Sequence, residues 1–376
     1  MKFKKALVFT ILGSMVIGTV GCGGGNNGDN TGDTQPAGGK DQVKVTLLGA
    51  GYGDKSYWDS AKKGAEELKN VYADQVEVNI VDMSPDTKKW ISAMHEAGES
   101  DADVIITGGF QQKENVEEIA GQYPDKQWIM FDSELDYESY ELENAYSMGY
   151  MANQSGYLAG MTAAYLTTSD NDGINEDNVI GFVGGMDNNP VVNDFLVGYI
   201  EGAKAVDPDI KMAVSYVNSF EDSAKAKEIA MAQFNSSNVD VIFSVAGASG
   251  TGCIESAFNE GKYVIGVDSD QSLLYEGREE QKCIVTSALK RVDKSIVYAI
   301  GKHLDGSLPY GKYELLGLKE EAVGIVYNDI MNSYVDESFT KELQQAEKDM
   351  ADGKITVSTA FDMTNDEVKA LVETVK

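Results

Sequence analysis

The chain has 376 residues, and its 61 acidic side chains outnumber its 31 basic ones, which gives a formal charge of −30 at pH 7. Nucleic acids and anionic lipid headgroups bind basic surfaces, so this charge balance argues against both as partners. Because one hydrophobic core seldom serves a chain of this length, we expect two lobes.

The first forty residues have the pattern of an exported, lipid-anchored protein. Met1 to Lys5 is basic, Ala6 to Val20 is apolar, and the apolar run is too short to span a membrane. We predict a signal peptide at 1–21. Thr19-Val20-Gly21-Cys22 resembles a bacterial lipobox, which implies lipidation of Cys22 and a location on the extracytoplasmic face of the cell membrane. The alternative is an ordinary cleaved signal peptide with an incidental cysteine.

A tether and a first series of strands and helices follow. Residues 22–40 are rich in Gly, Asn, Asp and Thr, a composition typical of a flexible linker. Beyond them, apolar β-branched runs alternate with amphipathic stretches, which predicts parallel strands covered by helices. The predicted strands are 43–49, 76–81, 103–107 and 128–132, and the predicted helices are 56–70, 87–96 and 115–123.

A second series repeats this alternation. After a predicted helix at 154–167, strands are predicted at 179–183, 212–217, 241–245 and 264–267. Two such series predict an α/β protein with two doubly wound parallel-sheet lobes. We place the first lobe at 41–145 plus about 290–315 and the second at 146–285 plus about 320–376. The lobe that holds a predicted helix at 331–354 stays open.

Residues suited to ligand binding follow the predicted strands. In an open parallel sheet, ligands bind at the carboxyl ends of the strands. The ends carry glycines that admit a close ligand, flat aromatic rings and carboxylates that accept hydrogen bonds. They include the 49–58 loop, Phe110 and Asp132 in the first lobe, Phe220, Gly247 and Asp268 in the second, and Lys290 after the run 284–289. This mixture favours a neutral, flat, hydroxylated ligand.

Two further expectations concern the chain between these last residues. We expect it to cross from the second lobe to the first between 269 and 289, and we expect Lys290 to begin a helix. A cation is unfavourable at a helix start, which favours a ligand role for Lys290.

The first strand-end loop is close to a phosphate-binding pattern but departs from it. Residues 49–56 match G-x-x-x-x-G-K-[ST] except that Asp54 stands at the second glycine. A carboxylate there would repel a phosphate. We therefore interpret the loop as a glycine-rich turn before a helix rather than as a nucleotide-hydrolysing site.

Cysteine and histidine are scarce. After Cys22 only Cys253 and Cys283 remain, and whether they pair is left open. The histidines are His95 and His303, neither at ligand spacing from another His or Cys. The sequence therefore predicts no metal, no cofactor and no enzyme.

The chain resembles a known family through motifs in the same order from about 43 to about 327. Residues 53–59, Gly-Asp-Lys-Ser-Tyr-Trp-Asp, are similar to its D-x-S-[FY]-N loop, and Ser155 to Ala164 to its "gYLaG-lAA" helix. Further matches are 123–132, 184–185, 190–202, 219–222, 266–271, 286–293, 317–318 and 322–324. The family is the basic membrane protein family, nucleoside-binding lipoproteins that act as extracytoplasmic receptors of ABC importers.

The resemblance implies a fold, a ligand and roles for single residues. The fold is the type I periplasmic-binding fold, two lobes joined by three crossovers. Tyr57 would stack on the nucleobase with Phe220 opposite, Asp268 and Lys290 would contact the ribose, and Gly247 would offer a backbone contact. Asp54 and Asp132 match acidic residues near the base. Trp58 stands where the family usually has Asn, so the base preference is open, although purine is favoured.

The expected function is therefore a lipid-anchored substrate-binding protein that delivers a nucleoside to ABC permease subunits, with a monomeric head. One alternative is a lipid-anchored sensor that presents a small molecule to a membrane receptor. A nucleoside-processing enzyme is a second and less favoured alternative, and it would need clustered carboxylates that hold a metal at the sugar.

Overall fold

A computed structural model describes residues 42–53 and 57–376, and two six-stranded sheets organise them. The strands are β1 Val43–Gly49, β2 Val76–Asp82, β3 Val104–Gly108, β4 Gln127–Phe131, β5 Ala145–Tyr150, β6 Val179–Gly184, β7 Lys211–Tyr216, β8 Val239–Val245, β9 Tyr263–Asp268, β10 Ile284–Lys290, β11 Lys312–Leu316 and β12 Val323–Ile325. The predicted signal peptide, tether, Cys22 and Asp54 lie outside the described residues.

Helices cover both sheets. They are α1 Tyr57–Val71, α2 Trp90–Glu99, α3 Lys113–Ile119, α4 Ala152–Thr167, α5 Pro190–Val206, α6 Ser223–Ser236, α7 Gly250–Glu260, α8 Val292–Leu304, α9 Met331–Tyr334, α10 Glu337–Ala351 and α11 Asn365–Glu373. Among the described residues, none of these helices combines the length and the apolar character that a membrane crossing needs.

The two sheets have the same strand order. The first runs β11-β5-β4-β3-β1-β2 and the second β12-β10-β9-β8-β6-β7, so each strand of one sheet has a counterpart in the other. All pairs in the first sheet are parallel, and β12 pairs antiparallel with β10 in the second. The predicted pair of doubly wound lobes is confirmed. We call the halves built on these sheets the first and second lobe.

The chain passes between the lobes three times. It leaves the first sheet after Tyr150 and enters α4, which packs on α5 and on the second sheet. It returns after Lys290 into α8, which packs on α1, and it crosses again between β11 and β12. The helices α10 and α11 pack on α4 and α5 and so belong to the second lobe.

Two expectations about Lys290 were wrong. It is the last residue of β10 rather than the first of a helix, and β9 and β10 are parallel neighbours in the second sheet. The chain therefore crosses after Lys290 and not between 269 and 289. The run 284–290 is buried along almost its whole length, and its pairing with β9 and β12 keeps it extended.

Two further features differ from the sequence pattern. The predicted helix at 331–354 is divided into α9 and α10 by extended backbone at Val335 and Asp336. Cys253 and Cys283, whose pairing was open, are both free and buried thiols.

Glycines let α4 and α5 touch backbone to backbone. Gly156 and Gly160 on α4 face backbone oxygens of α5, and Gly198 and Gly202 on α5 face backbone oxygens of α4. A Cβ atom at any of the four would lie 1.9–2.3 Å from such an oxygen, well inside van der Waals contact. We call this contact the glycine seam. It joins the helix after the first crossover to the second-lobe core.

Candidate ligand-binding site

The strand ends of both lobes enclose a cavity of about 520 Å³. Eight of the nine residues predicted to bind ligand line it, and the ninth, Asp54, lies outside the described residues. The eight are Tyr57, Trp58, Phe110, Asp132, Phe220, Gly247, Asp268 and Lys290. The first four come from the first lobe and the last four from the second. The volume is in the usual range of small-molecule sites.

Lys290 lies between carboxylates of the two lobes. Its Nζ is 2.9 Å from Asp132 Oδ2, which follows β4 in the first lobe, and 3.5 Å from Asp268 Oδ1, at the end of β9 in the second. These side chains are only 5% and 8% exposed. The same ammonium group is 4.6 Å from the centre of the Tyr57 ring. The Lys290 ammonium group thus contacts one carboxylate from each lobe and the face of the Tyr57 ring.

Burial and the two carboxylates act in opposite directions on Lys290. Burial lowers its pKa, but Asp132 and Asp268 raise it more, so the pKa of Lys290 is raised and the ammonium stays charged. Burial also raises the pKa of Asp132, and Lys290 opposes this effect. With both carboxylates ionised the trio carries one negative charge in excess. An anionic ligand group would be repelled here, whereas hydroxyl donors would be accepted.

Asp132 and Asp268 adopt the same rare backbone conformation. Their φ angles are +63° and +65°, in the left-handed region that side chains with a Cβ seldom occupy. They occupy corresponding places in the two lobes, since β4 and β9 are counterparts. The same strained conformation thus occurs in both lobes, and both carboxylates lie beside Lys290. Such strain is characteristic of functional sites.

Tyr57 forms the aromatic wall of the first lobe. Its ring meets Trp58 edge-on at 5.0 Å between centroids and Phe131 at 5.5 Å. Burial and the nearby Asp132 raise the pKa of its hydroxyl well above the usual value. That hydroxyl is buried and has no hydrogen-bond partner of good geometry within 42–53 and 57–376.

Phe220 forms the wall of the second lobe, and a glycine makes room for it. A Cβ atom at Gly185 would lie 2.2 Å from the Phe220 ring, so only glycine leaves the ring in this place. Ser249 fixes the loop, because its backbone N–H donates to Phe220 O at 2.9 Å and its hydroxyl donates to Ser219 O at 3.0 Å. Gly247 also lies against Phe220.

Some lining residues were not predicted from the sequence. Asp82, Trp90, Gln112 and Asn189 also line the cavity. Asn189 could have been found from the sequence, because Asn followed by Pro190 is a typical helix start. In the structure its side chain caps α5 by accepting from Val191 N and Val192 N. For Gln112 no local pattern gives the direction of the side chain. Among the described residues, no cluster of His, Cys, Asp and Glu is arranged to hold a metal ion.

Comparison with known proteins places the chain in a family. Residues 42–358 match the Bmp family, described as ABC transporter substrate-binding protein PnrA-like. The chain belongs to this family. The resemblance predicted from the sequence is thereby confirmed, and the family is one of substrate-binding proteins of ABC transporters.

Relatives of this Bmp-family chain have several names. It is 33% identical over 261 residues to the ABC transporter nucleoside-binding protein BmpA of Lactococcus lactis, covering 66% of this chain and 69% of that one. It is 28% identical over 375 residues to a CD4+ T-cell-stimulating antigen of Listeria innocua, covering 94% and 98% of the two chains.

A solved structure confirms the fold. An ABC transporter system solute-binding protein from Aeropyrum pernix K1 superposes with a TM-score of 0.76 at 24% identity, covering 89% of this Bmp-family chain and 99% of that one. The two parallel sheets and this likeness confirm the type I periplasmic-binding fold.

Proposed function

We propose that this substrate-binding protein takes up a nucleoside, with purine favoured, between its two lobes and delivers it to the permease of an ABC importer. The observation that carries the proposal is Lys290, held by one carboxylate from each lobe beside the Tyr57 ring. Carboxylates that accept from a sugar diol, next to a flat aromatic face, suit a ribose joined to a base. A relative at 33% identity is named a nucleoside-binding protein.

The interactions available can be compared with the affinity that a scavenging receptor needs. Stacking of a base on an aromatic ring contributes about 1–3 kcal/mol. A hydrogen bond to a charged group contributes about 1.5–3 kcal/mol. Micromolar affinity corresponds to about 8 kcal/mol. Tyr57, Phe220, Asp268 and Lys290 together supply about 5–12 kcal/mol, and micromolar binding after the cost of association needs the upper end of this range.

The charge of the cavity supports a nucleoside rather than a nucleotide. Four carboxylates, Asp82, Asp132, Glu221 and Asp268, line it with Lys290. Lys290 is engaged with two of them, so a phosphate ester would meet an excess of negative charge.

The proposal includes a membrane location. Cys22 would carry the lipid and residues 22–40 would form the tether, which keeps the head on the extracytoplasmic face near its permease. Several relatives are named basic membrane proteins, among them one of Borreliella burgdorferi. Stimulation of the ATPase activity of a reconstituted importer by the nucleoside-loaded head would support delivery to a permease rather than presentation to a membrane receptor.

Calorimetry on the purified head tests the ligand. We expect the wild type to bind purine nucleosides, and Phe220→Ala to lose about 1–3 kcal/mol of binding free energy with the fold intact. Phe361→Ala is the matched control, because Phe361 is 44% exposed and outside the cavity. Affinity for free sugars or amino acids without affinity for nucleosides would contradict the proposal.

A further inference from the structure

The strand order of the first sheet gives the cavity a direction. The cavity is lined by Asp132 after β4, Gly108 at the end of β3, Ala50 after β1 and Asp82 at the end of β2. These strands are neighbours in the order β4-β3-β1-β2. Because adjacent strands are about 4.8 Å apart, the cavity extends about 14 Å along the strand ends, from the end of β4 to the end of β2.

The two ends of the cavity differ in how the lobes are joined. The chain crosses between the lobes after β5, β10 and β11. These strands lie on the β4 side of the first sheet and on the corresponding side of the second. The lobes are therefore joined beside the β4 end of the cavity, and the β2 end is the mouth of the cleft.

The proposed nucleoside uses the inner part of this length. Its ribose lies at Lys290, beside Asp132 at the β4 end, and its base stacks on Tyr57, the first residue of the helix after β1. The edge of the base remote from the ribose therefore faces the β2 end. In a purine, that edge carries the 6-position.

Ring side chains form a wall at the β2 end. Tyr52, Pro85 and Trp90 line this part of the cavity. The Trp90 indole N–H donates to Ser84 O at 2.8 Å, which holds the ring in place. Gly51 has a φ of +103°, and a Cβ atom there would lie 3.3 Å from the Pro85 ring, so the two segments are in close contact. The wall offers apolar ring faces that the proposed nucleoside does not use.

One carboxylate adjoins these rings. Asp82 is exposed, and its Oδ1 accepts from Ser84 N at 2.8 Å, which leaves Oδ2 without a partner among residues 42–53 and 57–376. Burial, and then the charge of Asp82, raise the pKa of the Tyr52 hydroxyl, so the carboxylate lies near that ring. We call Tyr52, Asp82, Pro85 and Trp90 the outer subsite. It combines apolar ring faces with one accessible hydrogen-bond acceptor.

We propose that the outer subsite binds a flat apolar group carried on the 6-amino nitrogen of a purine base. The rings contact the apolar group, and Asp82 accepts a hydrogen bond from a hydroxyl at its far end. The inference rests on the proposed function and deepens it, because it extends the ligand class from plain purine nucleosides to nucleosides enlarged at the base.

Calorimetry with three ligands tests the subsite. The ligands are adenosine, 6-(benzylamino)purine riboside and 6-(4-hydroxybenzylamino)purine riboside. For the wild type we expect the benzyl ligand to bind about three- to tenfold more tightly than adenosine, the value of one aromatic contact. We expect the hydroxybenzyl ligand to bind about three- to tenfold more tightly again, the value of one hydrogen bond.

Two variants separate the carboxylate from the rings. Asp82→Ala should make the benzyl and hydroxybenzyl ligands bind equally, because the acceptor for the hydroxyl is removed. Pro85→Ala should lower the ratio of benzyl ligand to adenosine affinity, because one ring of the wall is removed. Asp74→Ala, an exposed aspartate outside the cavity, is the control and should keep both ratios of the wild type.

The outcomes separate this inference from the proposed function. A wild type that binds adenosine, and binds the benzyl ligand no more tightly, would overturn the outer subsite and leave the proposed function in place. A preference for the hydroxybenzyl ligand that persists in Asp82→Ala would overturn the role of Asp82. A wild type that binds none of the three ligands would contradict the proposed nucleoside ligand and the inference with it.

Discussion

Lys290 and its two carboxylates are the charged centre of the cavity. The ammonium group bridges Asp132 of the first lobe and Asp268 of the second, and all three side chains are almost fully buried. A buried ion pair contributes little net stability, because desolvation offsets most of the attraction. The arrangement is therefore better explained by ligand binding, since hydroxyl groups of a sugar could enter the same network.

A substitution at Asp268 separates sugar binding from base binding. We expect Asp268→Asn to weaken a nucleoside by about 1.5–3 kcal/mol and a free base hardly at all, because the carboxylate accepts from the ribose. Calorimetry with both ligands measures the difference. Asp209→Asn, an exposed aspartate of the same lobe, is the control. Equal losses for nucleoside and base would show that Asp268 has a structural role.

At the scale of elements, a buried aspartate connects three segments of the second lobe. Asp194 on α5 accepts hydrogen bonds from Asn153 N at 2.8 Å, Thr359 Oγ1 at 2.6 Å and Ala360 N at 2.9 Å. The start of α4 and the chain near the C-terminus are thus attached to α5. Burial raises the pKa of Asp194 to about 6, although the three hydrogen bonds oppose this.

The raised pKa predicts a pH dependence of stability. The pKa of Asp194 in the folded protein exceeds its unfolded value of about 3.9. Folding therefore favours the protonated form, and the stability gained at low pH is lost as pH rises through about 6. Between pH 7.5 and pH 5.0 the wild type should gain about 1 kcal/mol relative to Asp194→Asn, as measured by denaturant unfolding. A gap that is independent of pH would contradict this assignment.

Sequence patterns predicted the elements that are apolar along their length. The β-branched runs that became β1, β3 and β8 were recognisable because both faces of these strands are buried. The strand β5 was missed because Ser147 and Gly149 interrupt its apolar pattern, and its pairing with β4 and β11 keeps it extended. The edge strand β11 begins Lys-Tyr-Glu, which resembles a loop in composition.

The candidate site was predictable as far as strand ends could be located. Asp132, Phe220 and Asp268 follow apolar runs, so the topology brings them together even though no local pattern connects them. Gln112 was missed because the direction of a side chain after a turn depends on its packing, here against Thr107. Lys290 was predicted as a site residue, but its place on a strand depends on the neighbours of β10.

At the scale of the whole molecule, the proposed lipid anchor assigns different purposes to the acidic head and to the N-terminal segment. The whole chain carries a formal charge of −30, and an acidic excess of this size favours solubility and disfavours contact with anionic lipid headgroups. Attachment would then depend on acyl chains at Cys22. One acyl chain binds membranes only marginally, whereas a diacylated cysteine gives stable anchoring.

Removal of the predicted lipidation site tests this attachment. We expect Cys22→Ala to abolish incorporation of labelled lipid and to release the head into the medium or leave an unprocessed precursor. Cys253→Ala is the control, because that thiol is buried in the second lobe. Membrane retention and lipid labelling equal to those of the wild type in Cys22→Ala would disprove the anchor.

The glycine seam has a mechanical consequence. The helix α4 begins two residues after β5 ends, and four glycines lock it to α5 without intervening side chains. Two helices that touch through side chains can slide past each other as the rotamers change. Two helices whose backbones are in direct contact have no side chains between them that could allow this sliding. A 16-residue helix is about 24 Å long. A rotation of one degree at Met151 therefore moves the far end of α4 by about 0.4 Å. Because α5 is packed directly on α4, we expect the two helices to move together as one rigid unit.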